Sequence, residues 1–266
     1  DHATLAIAAG TTIAVDGAAR DFFEETPVTL PDLIPGENYG VQLDAKGNPF
    51  ASLLGPESPL AAGAFAGFHF APGGNAPARA GGDDVPAINP ASCWDAAFRP
   101  TCLDPRGMTF DLATHTWLDI YLLCVDNRRH GTSACGVAIA DGRSLPRLNY
   151  KDAVEIYASD GKRLATYDEL RSAAFGVTEK SGVERHPKTT GLDAARTSRI
   201  GLMQATGNVW QWCTDGDPDD PRPSLFGGSY LDGSYAGSHY AYLDYWPEYS
   251  LEIISARGAC DHLAPA

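Results

Sequence analysis

The sequence predicts an α+β chain: a small β-rich module, then a larger domain of irregular antiparallel strands and two short helices. Three observations predict it. Short alternating runs broken by Gly and Pro fill the first seventy residues. Convincing helix signals occur only after residue 145, as two short amphipathic segments that each open on a capping residue. The chain beyond them reads almost entirely as strand and loop.

Taken in order, residues 11–15 (Thr-Thr-Ile-Ala-Val) alternate, Asp16-Gly17 is a hairpin signal, and Arg20-Asp21-Phe22-Phe23 resumes the strand. Further runs at residues 28–30 and 39–43 are separated by Pro31, Pro35 and Gly36, and residues 63–70 give an aromatic strand. Residues 71–92 are rich in Gly, Pro, Ala and Asp and read as a long loop or linker. The expected organisation is therefore a β-rich module over 1–70, a linker over 71–92 and a second domain over 93–266. In that domain, strands are expected at residues 106–110 and 117–124. Asn149 can cap a helix from Tyr150 to Ser159 that keeps Ala153, Ile156 and Tyr157 on one face and stops at Asp160-Gly161. Thr166 and Glu169 form a capping box that opens a helix through Leu170, Ala173 and Ala174 to Gly176. No internal repeat is visible.

Bulk properties narrow the function classes. The 266 residues carry 20 Lys and Arg against 34 Asp and Glu, a formal charge of −14, with no basic block. A nucleic-acid or anionic-membrane footprint would have to be basic, so neither partner is expected. No apolar run approaches the length of a membrane span, and residues 5–9 are too short and uncharged in front for a secretory signal. Of the six cysteines, none lies in a C-x-x-C pair or at ligand spacing from a histidine, so zinc is not expected. Cys93 with Cys102, and Cys124 with Cys135, are close enough for local disulfides, or they are small buried thiols; Cys213 and Cys260 read as buried thiols.

The densest signal is near the end. Tyr230, Tyr235, Tyr240, Tyr242, Tyr245 and Tyr249 are more than half of the chain's 11 tyrosines. Tyrosine offers a rigid apolar face and a hydroxyl while losing little rotamer entropy, which suits a contact surface. The segment lacks the aliphatic–polar alternation of a buried strand. Such a stretch binds something.

Two motifs carry a resemblance. Gly207-Asn208-Val209-Trp210-Gln211-Trp212, with a later Gly227-Gly228-Ser229 and an Ala256-Arg257-Gly258, resembles the formylglycine-generating-enzyme (sulfatase-modifying-factor) branch of the C-type lectin fold. Gly207 permits a sharp turn, and Trp210 and Trp212 share one side of a strand, where they can wall a core. The closing run from Gly227 through Ser255-Ala256-Arg257-Gly258-Ala259-Cys260-Asp261-His262-Leu263 is similar to the variable region of proteins diversified by diversity-generating retroelements. That group includes a phage receptor-binding protein. The similarity extends upstream through Gly67-Phe68-His69-Phe70, residues 90–95 and 98–108, and Asp119-Ile120-Tyr121-Leu122-Leu123, so that it spans residues 60–263.

The resemblance implies a variable region over 227–258 in which template AAY codons become NNY. Leu231, Asp232, Tyr235, His239, Tyr242, Asp244, Tyr245, Tyr249, Leu251 and Ile253 are all reachable by NNY; Tyr230 and Tyr240 are either diversified or fixed aromatics. Trp246, Pro247, Glu248 and Glu252 would be scaffold. The implied function is hypervariable ligand binding, directed at a protein or surface glycan, without cofactor or metal. Aromatic anchors would supply contact area, while Asp232, Asp244 and His239 supply orientation and charge selectivity. A phage virion tail or a cell surface is the implied location, with fibre attachment or oligomerisation raising affinity through multivalency.

Two other functions fit parts of the pattern. An oxidase of the formylglycine-generating type needs paired cysteines and copper near the chain's end. Only Cys260 lies in the closing strands, in a departing context, and His262 beside it reads as a structural hydrogen-bonding residue. A calcium-dependent lectin of fixed specificity could use the acidic run at residues 215–220, but no glutamate completes an EF-hand pattern and a solvated acidic turn is expected instead.

Overall fold

The computed structural model describes residues 3–15, 18–56, 63–74, 84–95, 102–144, 147–217, 219 and 222–262. The Asp16-Gly17 turn, residues 75–83 of the expected linker, residues 98–101, Pro218 and Asp220 of the acidic run, and Leu263 lie outside the described residues.

The first half carries strands β1 (Ala6–Ile7), β2 (Thr11–Val15), β3 (Ala18–Phe22), β4 (Thr26–Pro27), β5 (Glu37–Leu43), β6 (Pro49–Leu53), β7 (Ala66–Ala71), β8 (Ala87–Ile88) and β9 (Trp94–Asp95). β2 and β3 pair as the expected hairpin, and β1 pairs with β4. A five-stranded antiparallel sheet has the order β6-β5-β7-β8, with β9 also on β7. Tyr39, Val41, Phe68 and Phe70 from this sheet bury against Ile7, Phe22 and Val28. Gly67 is fixed by space: a Cβ there would sit 2.7 Å from the Trp94 indole. Residues 87–88 and 94–95, on either side of the expected linker's end, are thus strands of the same sheet as residues 37–71.

The second half carries β10 (Met108–Asp111), β11 (Thr116–Asp119), α1 (Asn127–His130), α2 (Tyr150–Ser159), β12 (Arg163–Leu164), α3 (Tyr167–Ala173), β13 (Trp210–Gly216), β14 (Pro223–Phe226), β15 (Ala241–Tyr242), β16 (Ile254–Ala256) and β17 (Gly258–Asp261). They form two four-stranded sheets, ordered β10-β11-β17-β12 and β15-β14-β13-β16. All pairings are antiparallel except β13 with β16, which is parallel. The two helices pack where their apolar faces require. Ala153 and Tyr157 of α2 meet Trp210 and Trp212, which do share one core; Leu170 and Ala173 of α3 meet Leu118, Cys213 and Phe226.

Arg257 sits at the joint between the sheets, because β16 ends at Ala256 and β17 starts at Gly258. Its fully buried guanidinium donates to Gln211 Oε1 at 2.8 Å, to the carbonyls of Asp119, Ile120 and Met203 at 2.7 Å each, and to Gln204 O at 3.4 Å. Burial pulls its pKa down to about 10, which still leaves it charged at neutral pH.

Both capped helices form where the sequence expects them, Asn149 accepting from Asp152 N and Thr166 with Glu169 closing a full capping box. Four expectations change. The second helix ends at Ala173, three residues short of Gly176. The strand expected over 117–124 stops at Asp119, because Arg257 takes the carbonyls of Asp119 and Ile120 and diverts the buried run beyond them. Helix α1 was not expected; it is one exposed turn with no buried residue and so no apolar period to read. None of the six cysteines is in a disulfide, which removes the Cys93–Cys102 and Cys124–Cys135 bridges, and Cys260 is partly exposed rather than buried. Among the described residues no helix is long and apolar enough to cross a membrane.

Candidate recognition surface

The segment 227–253 is a long excursion between β14 and β16, which flank β13 on opposite sides. Its main chain is gripped at several points. Gly227 N donates to Tyr240 O and Gly237 N to Gly227 O, each at 3.0 Å, and Tyr230 N donates to Asn208 O at 3.0 Å. Gly228 has φ +79°, and a Cβ there would lie 2.6 Å from the Ala236 main chain, so only glycine fits. Glu179 accepts from Ser238 N at 3.0 Å and from the Ser238 hydroxyl.

Farther along, Tyr150 N, the first residue of α2, donates to Pro247 O, and Gly142 N donates to Leu251 O. Lys151 and Arg143 form ion pairs with Glu248 and Glu252. Because most of the grip falls on backbone and on residues outside the variable set, the exposed side chains between can change without loosening the frame.

None of the twelve sequence-derived positions is buried. Leu231, Tyr235, His239, Tyr242, Asp244, Tyr249 and Leu251 are exposed; Tyr230, Asp232, Tyr240, Tyr245 and Ile253 are half-buried. Tyr235 and Leu231 stand out furthest, at 71% and 66% exposure. Tyr242, Tyr245 and Tyr249 form an edge-to-face row with ring centroids 4.8 and 5.4 Å apart, and Tyr242 tilts over Trp210 at 6.1 Å. Tyr235 and Tyr240 are a second edge-to-face pair at 6.4 Å. Tyr230 stands edge-on to His186 at 5.0 Å, and His186 Nε2 lies 3.0 Å from Glu252 O and 3.3 Å from Asp141 Oδ2. Burial is the main cause that raises the phenol pKa of Tyr230 and Tyr245, so both remain neutral hydrogen-bond donors at neutral pH.

The charged positions differ in what they can offer a ligand. Asp244 is exposed and lies 3.5 Å from Arg222, whose guanidinium sits 5.4 Å over the Trp246 ring. Asp232 turns back on its own loop: one carboxylate oxygen accepts from Ser229 N at 2.7 Å and from the Ser229 hydroxyl. That oxygen holds a turn and is not presented outward. Tyr240, Tyr245 and Ile253 rest on the Trp210–Trp212 core cluster.

Sequence reasoning missed several neighbours. Leu243 and Trp246 are 43% and 45% exposed within the same patch. Phe175, exposed and stacked by the Arg199 guanidinium at 5.2 Å, borders with Ser238 and His239 an open depression of about 640 Å³. Phe175, His186, Arg199 and Arg222 lie outside the tyrosine-rich segment and no local pattern marks them. Among the described residues no group of three or more His, Cys, Asp or Glu could hold a metal ion. His262 makes the structural hydrogen bond expected of it, Nδ1 to His115 O at 3.0 Å.

An α+β frame with two short capped helices, irregular sheets and one long excursion rich in presented side chains defines the C-type lectin-like class of fold. No family model matches the chain. It is 36% identical to the tail fiber receptor-binding protein of Bordetella phage BPP-1, over 98% of this chain and 81% of that protein. Among solved structures, the Major Tropism Determinant U1 variant superposes with a TM-score of 0.90 at 34% identity, covering 99% of this chain and 82% of that one. The I1 variant gives 0.89 at 35% identity with the same coverage. The chain belongs to the family of the phage major tropism determinants.

Proposed function

We propose that this chain is a receptor-recognition protein of a phage tail fibre, and that the twelve positions form a retroelement-diversified contact surface on a lectin-like scaffold. One observation carries the reading: a continuous stretch of tyrosines and charged residues, none of them buried, is held by main-chain hydrogen bonds to residues outside the set. The naming of the Bordetella phage relative as a tail fiber receptor-binding protein supports it. The ligand class is a protein or surface glycan, because the tyrosine row is open and shallow and offers aromatic faces with neutral hydroxyls. Binding rather than catalysis is the role, the virion tail is the location, and several copies on one fibre raise a modest single-site affinity. The N-terminal β-rich module, whose sheet takes in strands as far as β9, serves as the base on which the lectin-like domain is mounted.

The test combines genetics with binding. An asparagine-rich near-copy of residues 225–263 beside a reverse-transcriptase gene is the expected genomic context. In the protein, replacing Tyr235, Tyr242 and Tyr249 together by Ala should abolish adsorption to host cells at an unchanged melting temperature. Full adsorption by that triple variant would sink the proposal.

A further inference from the structure

We propose that Cys102 and Cys260 are a thiol pair that closes to an intramolecular disulfide when the protein meets a low-molecular-weight disulfide such as oxidised glutathione. Cys260 lies on β17 with Trp117 of β11 as its cross-strand partner. Cys102 is 1% exposed and packs with Met108, Phe110 and Trp117 in the cluster that Cys260 covers. Cys260 Sγ lies 4.0 Å from Gly161 O, and a Cβ on Gly161 would sit 3.1 Å from the Leu103 side chain, so the residue next to Cys102 lies beside Cys260. Cys102 donates its S–H to Met108 Sδ at 3.6 Å, inside the cluster that Cys260 covers. Neither sequence-adjacent pairing brought these two together, because they meet across the sheet that β10, β11 and β17 build.

The two sulfurs are differentiated. The neighbouring Cys102 thiol, with the Leu103 N–H and the nearby Lys162 charge, outweighs burial and Asp261 and lowers the Cys260 thiol to about 7. The Cys260 sulfur and burial push Cys102 far up. Burial also raises Cys124, to about 11, and Cys213. Cys260 is therefore the thiolate that attacks, and it is the member of the pair that solvent reaches.

The steps balance. The Cys260 thiolate attacks one sulfur of oxidised glutathione, the glutathione S–S bond breaks, and one glutathione thiolate leaves. Cys102 then gives its proton to that thiolate and attacks the Cys260 sulfur, expelling the second glutathione as thiolate, which takes a proton from water. One protein dithiol and one oxidised glutathione become one protein disulfide and two reduced glutathiones. The bond ties the last strand of the domain to the segment ahead of β10, so it encloses all three α-helices and the whole recognition excursion. A cross-link around so long a loop removes much unfolded-state freedom.

The experiment treats the full chain with oxidised glutathione at mildly alkaline pH and reads intact mass, peptide map and melting temperature. The expected result is a loss of two hydrogens, a peptide joining Cys102 to Cys260, and a melting temperature higher by at least ~5 °C. Cys102→Ser should stop at the glutathione adduct on Cys260, and Cys260→Ser should give no cross-link. Six free thiols after treatment of the folded protein, or a linkage between any other cysteines, overturns the proposal. Mapping of the wild-type chain decides even where a variant fails to fold, and none of these readings depends on receptor binding.

Discussion

Arg257 is a buried charge whose hydrogen bonds all go to uncharged oxygens, four of them backbone carbonyls. Replacing it by Met would strand those acceptors in the core, and the expected loss is about 3–5 kcal/mol in urea unfolding. The Ala-Arg-Gly string was visible in the sequence, but the depth of the arginine was not, since composition places arginine outside. His69 is the second deciding residue. Its Nδ1–H donates to Asn38 Oδ1 and its Nε2 accepts from Tyr121 O–H, both at 3.0 Å, and burial pulls its pKa down to about 3. The folded protein therefore binds fewer protons than the unfolded chain between pH 6.5 and 3. Stability from His69 is complete above pH 6.5 and falls by about 1.4 kcal/mol per unit as the pH drops through that window. Unfolding free energies at pH 6.5 and 5 should differ less in His69→Gln than in the wild type; an equal slope would remove the role assigned to this imidazole.

At the scale of elements, local signals were read and non-local ones were not. The capping motifs at Asn149 and Thr166 act within four residues, so the sequence located both helices. The end of β11 depends on an arginine more than a hundred residues away, and no window of sequence contains that contact. Helix α3 gives a graded prediction. Thr166→Ala removes one cap bond and should cost about 1 kcal/mol. Glu169→Ala should cost more, because Glu169 also accepts from Thr166 N, pairs with Arg163 and receives the Thr116 hydroxyl. Thermal melts of the two variants side by side check the order, and a reversed order would mean that the cap alone secures the helix.

For the molecule as a whole, the most exposed contact side chains and the residues that hold their loop are different. Glu179 is not one of the candidate contact residues; it holds Ser238 and so sets the loop that presents His239 and Tyr240. Glu179→Ala should weaken receptor binding about tenfold or more while lowering stability by about 1–2 kcal/mol, whereas Glu179→Gln should restore part of the binding. Binding unchanged in the Ala variant would show that the loop needs no such anchor. The contact surface was legible because codon logic and tyrosine density both act on contiguous sequence. Its supports at Gly142, Glu179, His186 and Arg222 were not, since each arrives from a separate stretch of chain and carries no repeating pattern.

The parallel pairing of β16 beside β13, with β14 on the other edge, leaves the two feet of the excursion only two strand spacings apart, about 10 Å. Lengthening what lies between them adds only a slowly growing closure entropy. The same frame should accept foreign peptides of varied length between Leu243 and Pro247, which makes it a natural cassette for combinatorial display.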